Sequence, residues 1–241
     1  MPDKRWIFHV GLQKTATTCL QHMVYPHLAD CTYVGRPYTQ ENRAFNSLQY
    51  ASGVAFDSDA FRIELETIES RSTESTILVS DELLAGYSFY NFINRELIAQ
   101  RLAAAMPDAE IVLVLRGQVD IIESLYNQYV KIGWLHDVMG NRVIHRHGEG
   151  FSLDDWLSGK RDWSRSRRYI DCRALMSPKH FDYADIYEMY STLFDNVHVF
   201  LYEDLKDNAQ SFLLTLLKEL KLEAADGLSV DSLRNVNQSM H

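Results

Sequence analysis

Cysteine is scarce in this chain of 241 residues, and the three that occur, Cys19, Cys31 and Cys172, form no CxxC pair and no metal-ligand spacing with histidine. An odd number of scattered thiols argues against a disulfide framework and reads as reduced side chains. Long apolar runs are missing too. No stretch of about 18 uninterrupted apolar residues is present, and the opening MPDKRW lacks the apolar core of a signal peptide. The expectation is a cytoplasmic protein without stable membrane insertion. Positive charge is in deficit, with 24 Lys and Arg against 33 Asp and Glu, and the formal charge of −9 disfavours a broad electrostatic hold on nucleic acid. Internal repeats and low-complexity segments are absent as well.

What is present is a composition 46% hydrophobic, enough to bury a core in one domain spanning residues 1–241. Short runs rich in Val, Ile, Leu and Phe predict strands at Trp6 to Val10, Thr76 to Ser80, Glu110 to Leu115 and Val197 to Tyr202. Helical patterns follow at about Thr17 to Ala29, Phe61 to Ser70, Asn91 to Ala105, Val119 to Ile132, Tyr183 to Phe194 and Asn208 to Leu220, with a stop at Pro107 and Asp108. The alternation implies an α/β fold with a central parallel sheet flanked by helices and right-handed crossovers. Between 133 and 180 the pattern lapses, and basic residues such as Arg142, Arg161 and Arg168 outnumber acidic ones. That stretch reads as an irregular insertion over the site, either a substrate-side lid or charge-rich solvated surface.

The chemistry is concentrated near the amino terminus, in VGLQKTATTCLQ, residues 10–21. A strand entering a helix through a glycine-started loop makes an anion site, because the helix's first backbone N–H groups lack internal partners. The stretch therefore proposes a phosphate or sulfate ligand. A Walker A loop, GxxxxGK(S/T), is excluded: here Lys14 precedes the turn and no second glycine follows Gly11.

The stretch closely resembles the 5′-phosphosulfate loop of sulfotransferases that use 3′-phosphoadenosine 5′-phosphosulfate (PAPS), whose usual pattern is K-S/T-G-T-T before an apolar helix. Ala16 stands where that family has glycine, so the turn must be one that alanine can adopt. A second element agrees. Arg116 ends the strand run Ile111 to Leu115, and Ser124 follows eight residues later. In the family an arginine and a serine so spaced clasp the nucleotide's 3′-phosphate, a role suited to a charged fork and a hydroxyl donor. Gly117 and Gln118 replace the Asp or Asn and Pro that often follow that arginine. A third element is Ser80-Asp81-Glu82 after the middle strand, matching the Ser-x-Glu of many family members, where a glutamate or, in other branches, a histidine deprotonates the acceptor hydroxyl. The competing reading is a helix start capped by Ser80 or Asp81.

The resemblance implies a P-loop-like sheet and a bacterial, soluble, carbohydrate-sulfotransferase-like enzyme. It would bind PAPS and release 3′,5′-adenosine bisphosphate (PAP) without a metal. Gly11, Gln13, Lys14, Thr15, Ala16, Thr17, Thr18, Arg116 and Ser124 would bind the cofactor. Lys14 and Glu82 would be catalytic, with Asp81 or a histidine the substitute base, and the partner would be a small-molecule, glycan or lipid acceptor. "YEDL", Tyr202 to Leu205, reads as structural, its acids capping the next helix, and Arg234 to Ser239 loosely matches the family's terminal Asn-x-Ser segment. His145 and His147 alternate like strand ligands but lack a third ligand. Tyr87 to Phe92 suits either an acceptor pocket or packing under a loop. Rival readings are a P-loop nucleotide kinase or ATPase and a non-catalytic adenosine-bisphosphate-binding module. Nothing in the sequence sets the oligomeric state.

Overall fold

The fold, a computed structural model, describes residues 4–35, 44–88, 91–131, 153–158 and 176–225. Five strands form one sheet: β1 (Arg5–His9), β2 (Cys31–Gly35), β3 (Thr76–Ser80), β4 (Glu110–Leu115) and β5 (Asn196–Leu201). Every pairing is parallel, and the spatial order is β2-β3-β1-β4-β5. β1, the first strand of the chain, is therefore the middle of the sheet. Its register sets Phe8 against Val79 on one side and Ile111 on the other.

Strand periodicity sorts the core into two layers. Trp6, Phe8, Ile77, Val79, Ile111 and Leu113 point to one face, under α2 (Ala44–Tyr50), α3 (Ser58–Arg71), α4 (Arg95–Ala105), α5 (Gln118–Lys131) and α7 (Tyr183–Leu193). Ile7, Leu78, Val112 and Val114 point to the other, under α1 (Thr17–Met23), α8 (Tyr202–Asp207) and α9 (Ala209–Leu220). One short helix, α6 (Leu153–Ser158), falls inside the basic stretch. Because both faces are covered, the central strands are continuous apolar runs, each fully buried side chain contributing about 1.5–3 kcal/mol. Cys19 of α1 and Cys31 of β2 are buried and unbonded. Among the described residues no helix is long and apolar enough to cross a membrane.

Several sequence expectations change. The helix expected to run to Ala29 stops at Met23, and a 3-10 turn over Tyr25–His27 follows, because Pro26 has no N–H with which to continue the i to i−4 ladder. The helix expected from Asn91 starts at Arg95, since Asn91 and Phe92 take φ of 56° and 53°. "YEDL" does not cap the next helix: it is itself the start of α8, and Asn208 caps α9 by accepting from Ser211 N at 3.1 Å. β2 and α2 had no sequence forecast. Most of 133–180, His145, His147, Cys172 and the tail from Arg234 lie outside the described residues, whereas at the end of the insertion Met176 is buried in the core, as is Phe181 just after it.

Candidate functional site

Three connections leave the carboxyl ends of neighbouring strands β3, β1 and β4, the edge at which open parallel sheets bind ligands. Backbone pairing extends past the strands, Val10 N donating to Val112 O and Asp81 N to His9 O, each at 3.2 Å. The three exits are thereby fixed relative to one another.

The loop after β1 is shaped by positive φ at Gly11 (52°), Lys14 (71°) and Ala16 (62°). Left-handed residues of this kind recur in the backbone nests that bind anions. Gly11 is demanded twice, by its φ and because a Cβ there would lie 3.0 Å from Thr17 Oγ1 and 3.3 Å from His9 Nε2. Ala16 does adopt the left-handed turn, at the strain an L-residue incurs there. The loop also ties itself together: Thr15 Oγ1 donates to Leu12 O at 2.5 Å, and Thr17 Oγ1 reaches the same carbonyl at 3.4 Å. Ser88 Oγ donates to Gln13 Oε1.

Lys14, Gln13, Ala16, Thr17 and Thr18 line a cleft of about 370 Å³ with Glu82, Leu83, Tyr50, Tyr87 and Gln128. Lys14 is half-buried, and its ammonium pKa is lowered by burial and then by the nearby charges of Arg116 and Lys131. Arg116 does not line the cleft; its Nη1 donates to the Lys14 carbonyl at 3.0 Å, and its guanidinium lies 4.7 Å from the Tyr202 ring centre. Tyr183 Oη donates to the Arg116 carbonyl, and Gly117 N donates to Glu203 Oε1 at 2.8 Å, so the turn after β4 is held from α7 and α8. Arg116 Nε is buried and without a partner among the described residues. Ser124 stands half-buried on the second turn of α5. Gly11 and Thr15 are buried behind the cleft rather than on its wall.

The two adjacent acids part company. Asp81 is fully buried, capping the 3-10 turn Glu82–Ala85 by accepting from Leu83 N at 3.0 Å and taking a second bond from Gln49 Nε2. Its carboxylate is a structural fixture. Glu82 is half-buried on the cleft wall, where Gln21 Nε2 lies 3.4 Å from its Oε2. Behind them, Ser80 Oγ meets His9 Nδ1 at 2.8 Å, and burial holds the His9 pKa down at about 3. Sequence reasoning passed over Gln21 and His9. The signal was there: a glutamine on the inward stripe Thr17, Leu20, Gln21, Val24, and a histidine inside a buried-strand run.

No family model and no curated protein matches the chain. In three dimensions it is similar to a sulfotransferase from Alicyclobacillus acidocaldarius, with a TM-score of 0.58 at 16% identity, over 100% of this chain and 91% of that one. At that identity the likeness establishes the fold.

Proposed function

We propose that this protein is a sulfotransferase that moves a sulfuryl group from PAPS to an acceptor, a hydroxyl on a sugar, lipid or small alcohol. The observation that carries the reading is the meeting of Lys14 and Glu82 on one cleft, with Arg116 bonded to Lys14's own carbonyl. The residues suit the donor. Left-handed loop positions offer N–H groups to an anion, Arg116 and Lys131 lie near enough to Lys14 to act on its charge, and the buried Arg116 Nε still has a donor to give. The fold shared with a known sulfotransferase supports the same reading.

PAPS, when bound, supplies an activated sulfuryl group on a phosphate leaving group. The loop from Gly11 to Thr18 holds its 5′ end through backbone N–H groups, and Arg116 with Ser124 holds the 3′-phosphate. Lys14 neutralises charge that builds on the leaving oxygen. Glu82 takes the acceptor's proton. Positioning and electrostatics supply most of the rate, as in phosphoryl transfer.

The test is calorimetry together with turnover of labelled PAPS across an acceptor panel. PAP binds more tightly than AMP by about 2 kcal/mol, a charge-assisted phosphate contact, and Arg116→Ala abolishes the difference. Glu82→Gln keeps PAP affinity and lowers turnover about 10²-fold to 10⁴-fold. Tighter binding of ATP with magnesium would favour the kinase; PAP binding without turnover on any acceptor would favour a sensor.

A further inference from the structure

Gln21 is 5% exposed, on the face of α1 that packs against the sheet. A buried amide costs stability unless its hydrogens find acceptors. The two hydrogens on Nε2 face three, all at the end of β3: Ser80 O at 3.0 Å, Ser80 Oγ at 3.2 Å and Glu82 Oε2 at 3.4 Å. Two hydrogens thus serve three acceptors, and of these only the Glu82 carboxylate stands on the cleft wall.

The neighbouring acid offers a comparison. Asp81 also receives a glutamine amide, from Gln49, but it is sealed in the core and spends its other oxygen on a cap. Two adjacent carboxylates thus each have their own glutamine, one inside the fold and one on the cleft wall. The Glu82 amide comes from the helix that begins where the phosphate loop ends.

We propose that Gln21 is a positioning residue for Glu82: it holds the carboxylate from α1, so that the loop and the base are set by one element. This rests on reading Glu82 as the base. The separation of 3.4 Å is at the long end of hydrogen bonding, a geometry that tightens in a ligand complex. An amide donor favours the ionised carboxylate, so its loss raises the Glu82 pKa. Among the described residues, the other titratable groups around Glu82 are Lys14 from the loop, Tyr33 from β2, Asp81 beside it and Tyr50 and Tyr87 on the same cleft. His9, behind Ser80, stays neutral and offers no charge.

Gln21→Met keeps the length of the side chain and removes both donors; Gln21→Glu keeps its shape and puts an acceptor against Glu82. Thermal unfolding and PAP calorimetry confirm that each variant keeps the fold and the loop. In Gln21→Met, kcat falls about 10-fold while the KM for PAPS changes less than about twofold, and the acid limb of kcat/KM moves up by roughly half a pH unit. Gln21→Glu moves it further. In a Glu82→Gln background, Gln21→Met costs less than about twofold, because its effect runs through the carboxylate. A full loss in that background, or an unmoved acid limb, overturns the proposal. Carbon-13 NMR titration of the Glu82 carboxyl, assigned by its disappearance in Glu82→Gln, needs no turnover. A higher pKa in Gln21→Met supports the coupling and an equal one overturns it. Should the wild type fail to turn over PAPS, the functional reading falls, and the titration still decides the role of Gln21.

Discussion

The two ends of one sheet treat charge in opposite ways. Toward the amino ends of β1, β4 and β5, Arg5 donates Nε and Nη2 to the two oxygens of Glu110 at 2.5 and 2.7 Å, and His198 Nε2 adds a contact at 3.0 Å. Arg5 Nη1 also reaches Leu220 O at 2.7 Å, tying α9 to the same cluster. At the carboxyl ends of β1 and β4, Lys14 and Arg116 are close enough, with Lys131, for cation to disfavour cation. A fold gains from the first arrangement and loses a little from the second. Like charges gathered around a cleft-lining lysine make sense as a standing offer to an anion.

The comparison is tested hardest at Lys14. Lys14→Ala is expected to lower kcat/KM for PAPS about 10²-fold or more and to weaken PAP in calorimetry. Its thermal midpoint should hold or rise, since repulsion with Arg116 and Lys131 is relieved. A lower midpoint would place the lysine among the fold's supports and erase the contrast between the ends.

His9 gives the next largest effect. Its folded pKa of about 3 lies below the ordinary 6.5, so the unfolded chain takes up the proton first. Stability from this residue is complete above pH 6.5 and drains away as pH falls toward 3, by about 2 kcal/mol between pH 6.5 and 5. Denaturant titrations across that window should show the slope in the wild type and a flatter one in His9→Asn. Equal slopes would mean that the imidazole is protonated inside the fold.

At the opposite end, Arg5→Ala should cost about 1–2 kcal/mol of stability, as expected for a partly buried bidentate pair, and leave turnover at 25 °C within about twofold. Burial alone would raise the Glu110 pKa, but the bonds and charge of Arg5, with help from His198, outweigh it and hold the value low. That stabilisation is present above the ordinary carboxylate range and is lost as pH falls through the lowered value, so Glu110→Gln should soften acid unfolding without altering the cleft. Loss of activity matching that of Lys14→Ala would show that the two ends are not separable. Smallest of all is Ala16→Gly, which relieves a left-handed alanine and should raise stability by about 1 kcal/mol, or about 2–4 °C in a chain of this size, with turnover kept. A fall in stability would mean that the loop's shape is held by the alanine methyl.

Four of the five strands were readable from sequence: β1, β3 and β4 because they are buried on both faces, and β5, a largely exposed edge strand, because Val197, Val199, Phe200 and Leu201 still give it an apolar run. β2 was not: CTYVG is short and carries Thr32 and Tyr33, which face a half-exposed sheet edge and mask the run. Strand order was hidden altogether, since it depends on which crossover goes to which side of β1. At the site, the grouping of Lys14, Thr17 and Glu82 on one cleft was legible because polar residues at a strand exit are unusual. The division of labour between Asp81 and Glu82 was not, because it depends on which of two neighbours the backbone turns inward. Gln21 lay in plain view on an apolar stripe, but its partners are 59 and 61 residues away in sequence.

The buried thiols extend the usefulness of the α1 face in another direction. Burial pushes the Cys19 pKa up to about 11 and that of Cys31 up to about 12, the latter with Asp30 and Glu74 adding to the rise. Alkylating reagents attack thiolates, so neither side chain reacts in place, and each labels only during excursions that bring it to water. In a Cys172→Ser background, the two labelling rates become a clock for local opening, one hand on the helix behind the loop after β1 and the other on the edge strand β2. A ligand that seats in the loop should slow the Cys19 hand more than the Cys31 hand, turning two inert sulfur atoms into a gauge of how far binding stiffens the molecule beyond the cleft.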